Sequence, residues 1–399
     1  MGIYIMSVKQ SLANFLKYNR VAYGVYYVCA STVFRVVGLF VPIDNRLILF
    51  NSFAGRSFGD SPKAVFDCMG RDQRFAGYRL VWAFHNPDDY TVDGAAKIKT
   101  DTLQYFLTAL RARVWVTNSS VERGLSFKKR GTTYINTWHG TPLKKMGSDI
   151  AGGNQSFKSR GKNRFDAMCV QGEFEARVWA RGFGVPSDAL ARTGLPRNDE
   201  LAKDCGERRA MLREELGIPE GKRAILYCPT FREYEKDAAY GVVMRSPFDI
   251  PALESELGED YILLVRAHYE VTKRMGIEDS DFCRDVTEYG DLNGLMLASD
   301  LLISDYSSVY FDYSITGKPM LHYTYDYDEY ASKRGMYFDI RDWLGGSESQ
   351  EGLVEVLKSL DYDAEAGKSR AFRAEFVQYY GDAAQSVVDL IHTLLSESS

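Results

Sequence analysis

Residues 301–312 read Leu-Leu-Ile-Ser-Asp-Tyr-Ser-Ser-Val-Tyr-Phe-Asp. An apolar run of strand length, Leu301 to Ser304, passes directly into hydroxyls and a carboxylate, Asp305-Tyr306-Ser307-Ser308, where a helix should begin. The first N–H groups of a helix lack intrahelical partners, and the macrodipole adds partial positive charge there. Two serines at such a point cap the helix or hold a phosphate against it. For an isolated serine pair, capping is the simpler reading. The company this run keeps elsewhere in the chain shifts the balance.

Working outward, the same strand-then-helix cycle repeats. Leu47–Phe50, Leu80–Phe84, Val114–Thr117, Tyr134–Thr137, Phe165–Val170 and Ala191–Thr193 read as strands of one sheet. Ser61-Pro62 starts a helix, with serine at the N-cap and proline at the first helical position. Thr102–Leu110 is helical. Glu207–Leu216 is a charged helix ended by Gly217 and Pro219, and the cycle restarts beyond it. Ala224–Tyr227, Tyr261–Val265, Leu301–Ser304 and Met320–Tyr323 form a second set of strands. Ala364–Leu395 is mostly helical, with a break at Gly381. This alternation implies α/β architecture with parallel sheets covered by helices on both faces. The expectation is two Rossmann-like doubly wound domains facing a cleft, at residues 43–206 and 207–375. Residues 376–399 are a helix that crosses back to brace the first domain.

Composition bounds the function. The chain has 399 residues, 45% apolar and 26% charged, with a net charge of −5. That is ordinary for a folded globular protein and gives no global signal for nucleic acid. Six dispersed cysteines form no CxxC pair, which argues against a zinc site or a disulfide framework. Residues 1–42 form an N-terminal amphipathic helical segment. Val21–Val41 is long enough to span a bilayer, but it carries Gly24, Ser31, Thr32, five aromatic residues and Arg35. A helix lying in the membrane interface, with Lys9, Lys17 and Arg20 at the headgroups, suits it better. The alternative is a helix packed on the protein's own core.

Polar residues collect at strand ends, where open parallel sheets bind ligands. After Tyr134–Thr137 comes Trp138-His139-Gly140-Thr141-Pro142-Leu143-Lys144-Lys145. His139 suits a general base, Gly140 permits close approach, and Lys144 suits an anionic substrate. A structural loop histidine and a solvated basic turn are the plainer readings. After Ala191–Thr193, the Gly194-Leu195-Pro196 turn presents Arg197 and Asn198, which read equally as a turn and helix cap. In the second half, Thr230 and Arg232 follow one strand, and Arg266 and His268 follow the next. Asp305, Ser307, Ser308 and Asp312 follow a third. Three successive strand ends thus offer groups suited to phosphate oxygens, and their recurrence points to a nucleotide diphosphate. Neither GxGxxG nor GxxxxGK[ST] is in place, so dehydrogenase and P-loop readings are weak. Asp326-Tyr327-Asp328 reads as loop acid, and no metal ligand set is assigned.

Taken together, Asn136–Asp149, Thr193–Asp199, Ile225–Arg232, Leu263–His268 and Ser299–Asp339 resemble the CDP-glycerol glycerophosphotransferase family, which includes teichoic acid primases and polymerases. The likeness covers roughly residues 40–380. Leu195 stands where members often carry tyrosine, and Tyr269 where they often carry proline. The length is that expected of a member without an added N-terminal domain.

The resemblance implies a glycosyltransferase B type fold. It implies transfer of glycerol phosphate from CDP-glycerol to a hydroxyl of an undecaprenyl-type lipid-linked saccharide or growing polyol-phosphate chain, with release of CMP. It also implies peripheral attachment at the cytoplasmic face of the membrane. His139 would be the base, and His268 would act on the leaving-group phosphates. Thr230, Arg232, Arg266, Asp305, Ser307 and Ser308 would surround the donor diphosphate, and Asp312 would meet ribose hydroxyls or simply face the helix surface. Trp138, Gly140, Thr141, Lys144, Arg197 and Asn198 would line the acceptor side. No cofactor is required on this reading, with room for magnesium to assist. CDP-ribitol transfer, or a nucleotide-sugar glycosyltransferase of the same fold, is the nearest alternative. A glycan-binding protein without catalysis is a more distant one.

Overall fold

The computed structural model describes residues 19–397, apart from 151–164, 204, 231, 233–235, 238–240, 243–246 and 268–277. Two sheets organise the chain. The first contains β1 (Asp44–Asn51), β2 (Arg79–Phe84), β3 (Ala96–Lys99), β4 (Ala112–Thr117), β5 (Thr133–Asn136), β6 (Ala167–Cys169) and β7 (Leu190–Ala191). Its order is β3-β2-β1-β4-β5-β6-β7. After β8 (Arg223–Cys228) comes a two-stranded hairpin of β9 (Lys236–Asp237) and β10 (Gly241–Val242). The second large sheet adds β11 (Tyr261–Val265), β12 (Cys283–Asp285), β13 (Leu301–Ser304), β14 (Met320–Tyr323) and β15 (Gly345–Ser347). It runs β12-β11-β8-β13-β14-β15. The strand pairs recorded in both large sheets are parallel. Each order is that of a Rossmann sheet, with its reversal beside the first strand: between β1 and β4, and between β8 and β13. The expected α/β architecture, with two Rossmann-like parallel sheets, is therefore the one found.

The core strands follow from their sequences. β4 and β11 are buried along their whole length, and β1 from Leu47 onward, as parallel strands covered on both faces must be. The strands that sequence reading passed over are short or polar. β3 is Ala-Lys-Ile-Lys, and only Ile98 is buried. β12 and β15 are three-residue edge strands. The helix expected to start at Ser61 begins at Asp60, whose carboxylate accepts from the Ser61 N–H at 2.7 Å. The long C-terminal helix breaks as expected around Gly381, giving Tyr362–Phe376 and Ala383–Glu397.

By internal contacts the chain forms two compact units. One comprises residues 1–139, 164–168 and 385–399, and the other 140–163 and 169–384. Segments 140–149 and 169–203, which precede the sequence boundary at 206, thus group with the second sheet. Within the first unit, Asp389 of the C-terminal helix pairs with Arg74 at 2.5 Å, and His392 meets the Phe75 ring edge-on.

The N-terminal helix Arg20–Phe40 packs Ala30, Phe34 and Val37 on the core of the first sheet. Phe34 stacks on Phe106 at 4.4 Å. Arg35 donates to the carbonyl and hydroxyl of Ser126, at 2.8 and 2.7 Å. The sole charge of the Val21–Val41 stretch therefore serves the packed side. Val21, Val25, Val28, Val36, Leu39 and Phe40 remain exposed.

In the second unit, the chain after Phe376 is held to the turn before the helix Glu173–Phe183. Tyr379 N–H donates to Gln171 O at 3.1 Å, and Glu173 N–H to the Gln378 side chain at 3.0 Å. A Cβ on Gly172 would lie 2.0 Å from Phe376 O, a main-chain atom with no room to yield. Gly172→Ala should destabilise the protein by about 2 kcal/mol or more, read as a lowered denaturant midpoint.

Candidate functional site

In the second unit, one carboxylate gathers groups from three segments. Asp312 lies in the short helix Val309–Ser314 and is only 3% exposed, where it accepts from Arg197 Nη2 at 2.6 Å. Asn198 Nδ2 donates to it at 2.6 Å and Gln171 Nε2 at 3.4 Å. The same Gln171 amide donates to Thr141 Oγ1 at 2.8 Å. The turn after His139 therefore meets the Pro196-Arg197-Asn198 turn and the run 305–312 at one point. Gly140 is what allows the approach. Its φ is +142°, and a Cβ there would sit 2.9 Å from Ser308 Oγ and 3.4 Å from Arg197 Nη2. Any larger residue would meet both strain and a clash.

The serine pair does not behave as a simple cap. Ser308 is the N-cap residue, but its own φ and ψ are helical and its side chain makes no capping bond. Ser307 Oγ accepts from the Val309 N–H at 3.3 Å. Both serines are half-buried. With only six residues, the helix Val309–Ser314 has little dipole of its own. The formal positive charge at this point comes from Arg197.

Several expected donor-site residues have internal partners instead. Arg232 was expected to face phosphate, yet its guanidinium is consumed inside the fold. Nε and Nη2 donate to Asp326 at 2.6 and 2.9 Å, and Nη1 donates to Asp305 at 3.0 Å and to Thr230 O. It also donates to Tyr325 Oη at 3.2 Å and lies over the Tyr306, Tyr325 and Tyr330 rings at 5.0–5.3 Å. With these bonds made, Arg232 is a buried strut. Asp305 is fully buried and accepts from Arg232, Thr230 N–H and Tyr306 N–H. Asp312 carries the three bonds above, from Arg197, Asn198 and Gln171. Arg266 donates to Val286 O and Tyr289 O, at 3.2 and 2.5 Å, and burial lowers its pKa. It shapes the loop after β12. Thr230 differs: its buried Oγ1 has no hydrogen-bond partner among the described residues. Asp326, the first acid of the Asp326-Tyr327-Asp328 triplet, is committed to Arg232. His268 lies outside the described residues.

Lys144 pairs through its backbone with Met336, and the Lys145 N–H donates to Gly335 O at 3.0 Å. Arg334 donates to Lys145 O at 2.9 Å. The Gly335-Met336-Tyr337 run thus clasps the segment that follows Thr141.

In the first unit, His139 is exposed. Its Nδ1 lies 2.8 Å from Asn118 O, and its ring stacks on Trp138 at 4.4 Å. Asn118 and Ser119 follow β4, and sequence reading missed them. It also missed Gln171, which follows β6, and Glu175 one helical turn later. Applying the strand-end rule to every strand would have flagged the first three. The burial of Glu175 has no sequence signal.

Glu175 is fully buried and accepts from the Gln171 N–H at 2.7 Å. Burial pushes its carboxyl from 4.5 up to about 7, the Asp312 charge acts in the same direction, and the bond from the Gln171 N–H opposes the shift. A carboxyl raised in the fold binds a proton that the unfolded chain has lost. Its stabilisation is complete below about pH 4.5 and is lost as pH rises to about 7. Glu175→Gln should remove that slope and leave the variant more stable above pH 7, by up to about 3 kcal/mol. Denaturant titrations at pH 5 and pH 8 check it. Equal pH dependence in both proteins would contradict the assignment.

Comparison with known proteins places this geometry in context. The family model described as CDP-Glycerol:Poly(glycerophosphate) glycerophosphotransferase matches residues 33–393. The teichoic acid glycerol-phosphate transferase of Staphylococcus aureus is 34% identical over 340 residues, covering 80% of this chain and 85% of that protein. The teichoic acid poly(glycerol phosphate) polymerase of Staphylococcus epidermidis is 33% identical over 374 residues, covering 89% of this chain. The chain spans about half of that polymerase, 52% of its length. A solved structure of the wall teichoic acid polymerase TagF aligns with a TM-score of 0.80 at 32% identity, covering 92% of this chain and 93% of that one. A variant of the same polymerase soaked with CDPG aligns with a TM-score of 0.79 at 33% identity, with the same coverage.

Proposed function

Because the chain belongs to the CDP-glycerol:poly(glycerophosphate) glycerophosphotransferase family, we propose that it transfers glycerol phosphate from CDP-glycerol to a hydroxyl of a lipid-linked saccharide or growing polyol-phosphate chain. CMP is released, and the product is teichoic acid or a related cell-surface polymer. The observation that carries this reading beyond membership is the convergence of Gly140, Ser308, Arg197 and Asp312 at the end of β13. Hydroxyls, a cation and a close-approach glycine together suit a phosphate group.

In this reading the donor diphosphate lies against Ser307 and Ser308, with Arg197 as its cation and Thr230 Oγ1 as a further partner. Arg232, Asp305 and Asp312 hold the strand ends in place instead of touching ligand. His139 immediately precedes Gly140 in the chain and takes the proton of the acceptor hydroxyl. The acceptor oxygen attacks the β-phosphorus in line, and the bond to the CMP oxygen breaks. His268, by its place after β11, acts on the departing phosphate. Side-chain charge carries the electrostatic work, with no required cofactor.

His139→Ala should lower CMP release by ~10²–10⁴-fold while CDP-glycerol still binds. Unchanged release would remove the base. Replacing Ser307 and Ser308 together by alanine should weaken CDP-glycerol affinity roughly tenfold or more, and unchanged affinity would remove the phosphate site. Running both assays with CDP-ribitol in parallel identifies the polyol.

We place the protein at the cytoplasmic membrane face, as a peripheral enzyme. Supporting this, the exposed Val21, Val25, Val28, Val36 and Leu39 recur at intervals of helical spacing, away from the face packed on the core. Replacing Leu39 and Phe40 by serine should reduce co-sedimentation with anionic phospholipid vesicles by roughly 10–100-fold. Undiminished co-sedimentation would count against attachment through this face.

A further inference from the structure

The reversal point of the first sheet lies between β1 and β4, and the residues just beyond those strands are tied to His139. We propose that Asn118 is the positioning residue of His139, fixing the tautomer in which Nδ1 carries the proton and Nε2 is the basic atom. The proposal rests on the reading of His139 as the base and deepens it.

A carbonyl oxygen only accepts hydrogen bonds. The 2.8 Å contact between His139 Nδ1 and Asn118 O therefore makes Nδ1 the donor. A neutral imidazole with its proton on Nδ1 carries its lone pair on Nε2. The main chain of Asn118 thus decides which nitrogen receives a proton.

The side chain of Asn118 secures the surroundings. Its Oδ1 accepts from the Phe53 N–H at 2.8 Å, and Ser119 Oγ accepts from the Ala54 N–H at 2.9 Å. Phe53 and Ala54 have φ of +45° and +60°, a conformation unfavourable for residues with a Cβ. The two bonds hold this turn, and the turn brings the Phe53 ring to 5.7 Å from the imidazole. Because these N–H groups are already engaged, the turn serves as a mount and not as an anion cradle. Trp138, stacked on the imidazole at 21°, is itself at φ +52°. Its N–H donates to Asn136 Oδ1 at 2.8 Å, and Asn136 Nδ2 donates to Ser119 O at 3.0 Å. Both rings flanking the imidazole in the chain's packing thus trace back to Asn118 and Ser119. Strain in a turn persists only where surrounding bonds over-determine it, and it concentrates where geometry must be exact for function.

The direct test is ¹⁵N NMR of the histidine side chains at about pH 8, where an unperturbed imidazole is neutral. The His139→Gln spectrum identifies the His139 signals. The wild type should show His139 with its proton on Nδ1. Asn118→Ala keeps the carbonyl but loses the Oδ1 bond to the Phe53 N–H that holds the turn beside the imidazole, so the signal should move toward the mixed-tautomer position. The kcat for CMP release should fall roughly 10–100-fold with KM for CDP-glycerol within about twofold. Asn118→Asp keeps the acceptor for Phe53 and should recover most of the rate. A wild-type His139 protonated on Nε2, or Asn118→Ala with undiminished kcat, would overturn the proposal. If Asn118→Ala does not fold, the wild-type spectrum and the aspartate variant still decide. CMP release by His139→Gln is a separate assay: full activity there would overturn the base assignment whatever the tautomer.

Discussion

A buried carboxylate needs donors, and Asp312 obtains them from outside its own helix. Arg197, Asn198 and Gln171 all turn toward it. Removing one partner of such a buried pair typically costs ~3–5 kcal/mol, because the other charge is left without compensation. That penalty makes the arrangement directional. The turn carrying Arg197 must sit beside the helix Val309–Ser314, and Gln171 must sit where its amide reaches both Asp312 and Thr141. Gly140 then has one place to go, against Ser308. The charge at the proposed phosphate position is therefore a consequence of where Asp312 is buried. Glu175 lies beneath the same network, and its raised carboxyl pKa reflects how little water reaches it.

The two reversal points are used differently. In the second sheet, the ends of β8 and β13 are joined by Thr230 N–H to Asp305, and Arg232 fills the space among three tyrosine rings. Much of the polar chemistry there is internal and rigid. In the first sheet, the ends of β1 and β4 hold a strained turn and an exposed imidazole. One end is closed by internal bonds, and the other leaves the His139 imidazole exposed.

The core strands were legible because parallel strands buried on both faces read as continuous apolar runs. The polar edge strands β3, β12 and β15 escaped because that signal is missing from them. The strand-end rule singled out Ser307, Ser308, Gly140 and Arg197, but could not assign partners. Arg232 and Arg197 look alike in sequence, each following a strand with a nearby proline. Burial separates them: Arg232 is enclosed by Asp305 and Asp326, whereas Arg197 is held by Asp312 beside Ser308. Asp312 read evenly as a ribose ligand or a helix-face acid because its three donors come from residues 114 to 141 positions away. Asn118 lies just beyond β4, where the strand-end rule would have flagged it, but its contact to His139 runs through a main-chain carbonyl, which has no residue-type signature.

The most direct measurement of the central claim is the product itself. Purified protein is incubated with a lipid-linked saccharide acceptor and either CDP-glycerol or a panel of UDP- and GDP-sugars, and the acceptor is followed by mass spectrometry. The account predicts extension by glycerol phosphate units with CDP-glycerol, and no change with the nucleotide sugars. Glycosyl extension from a nucleotide sugar, with CDP-glycerol left intact, would contradict it.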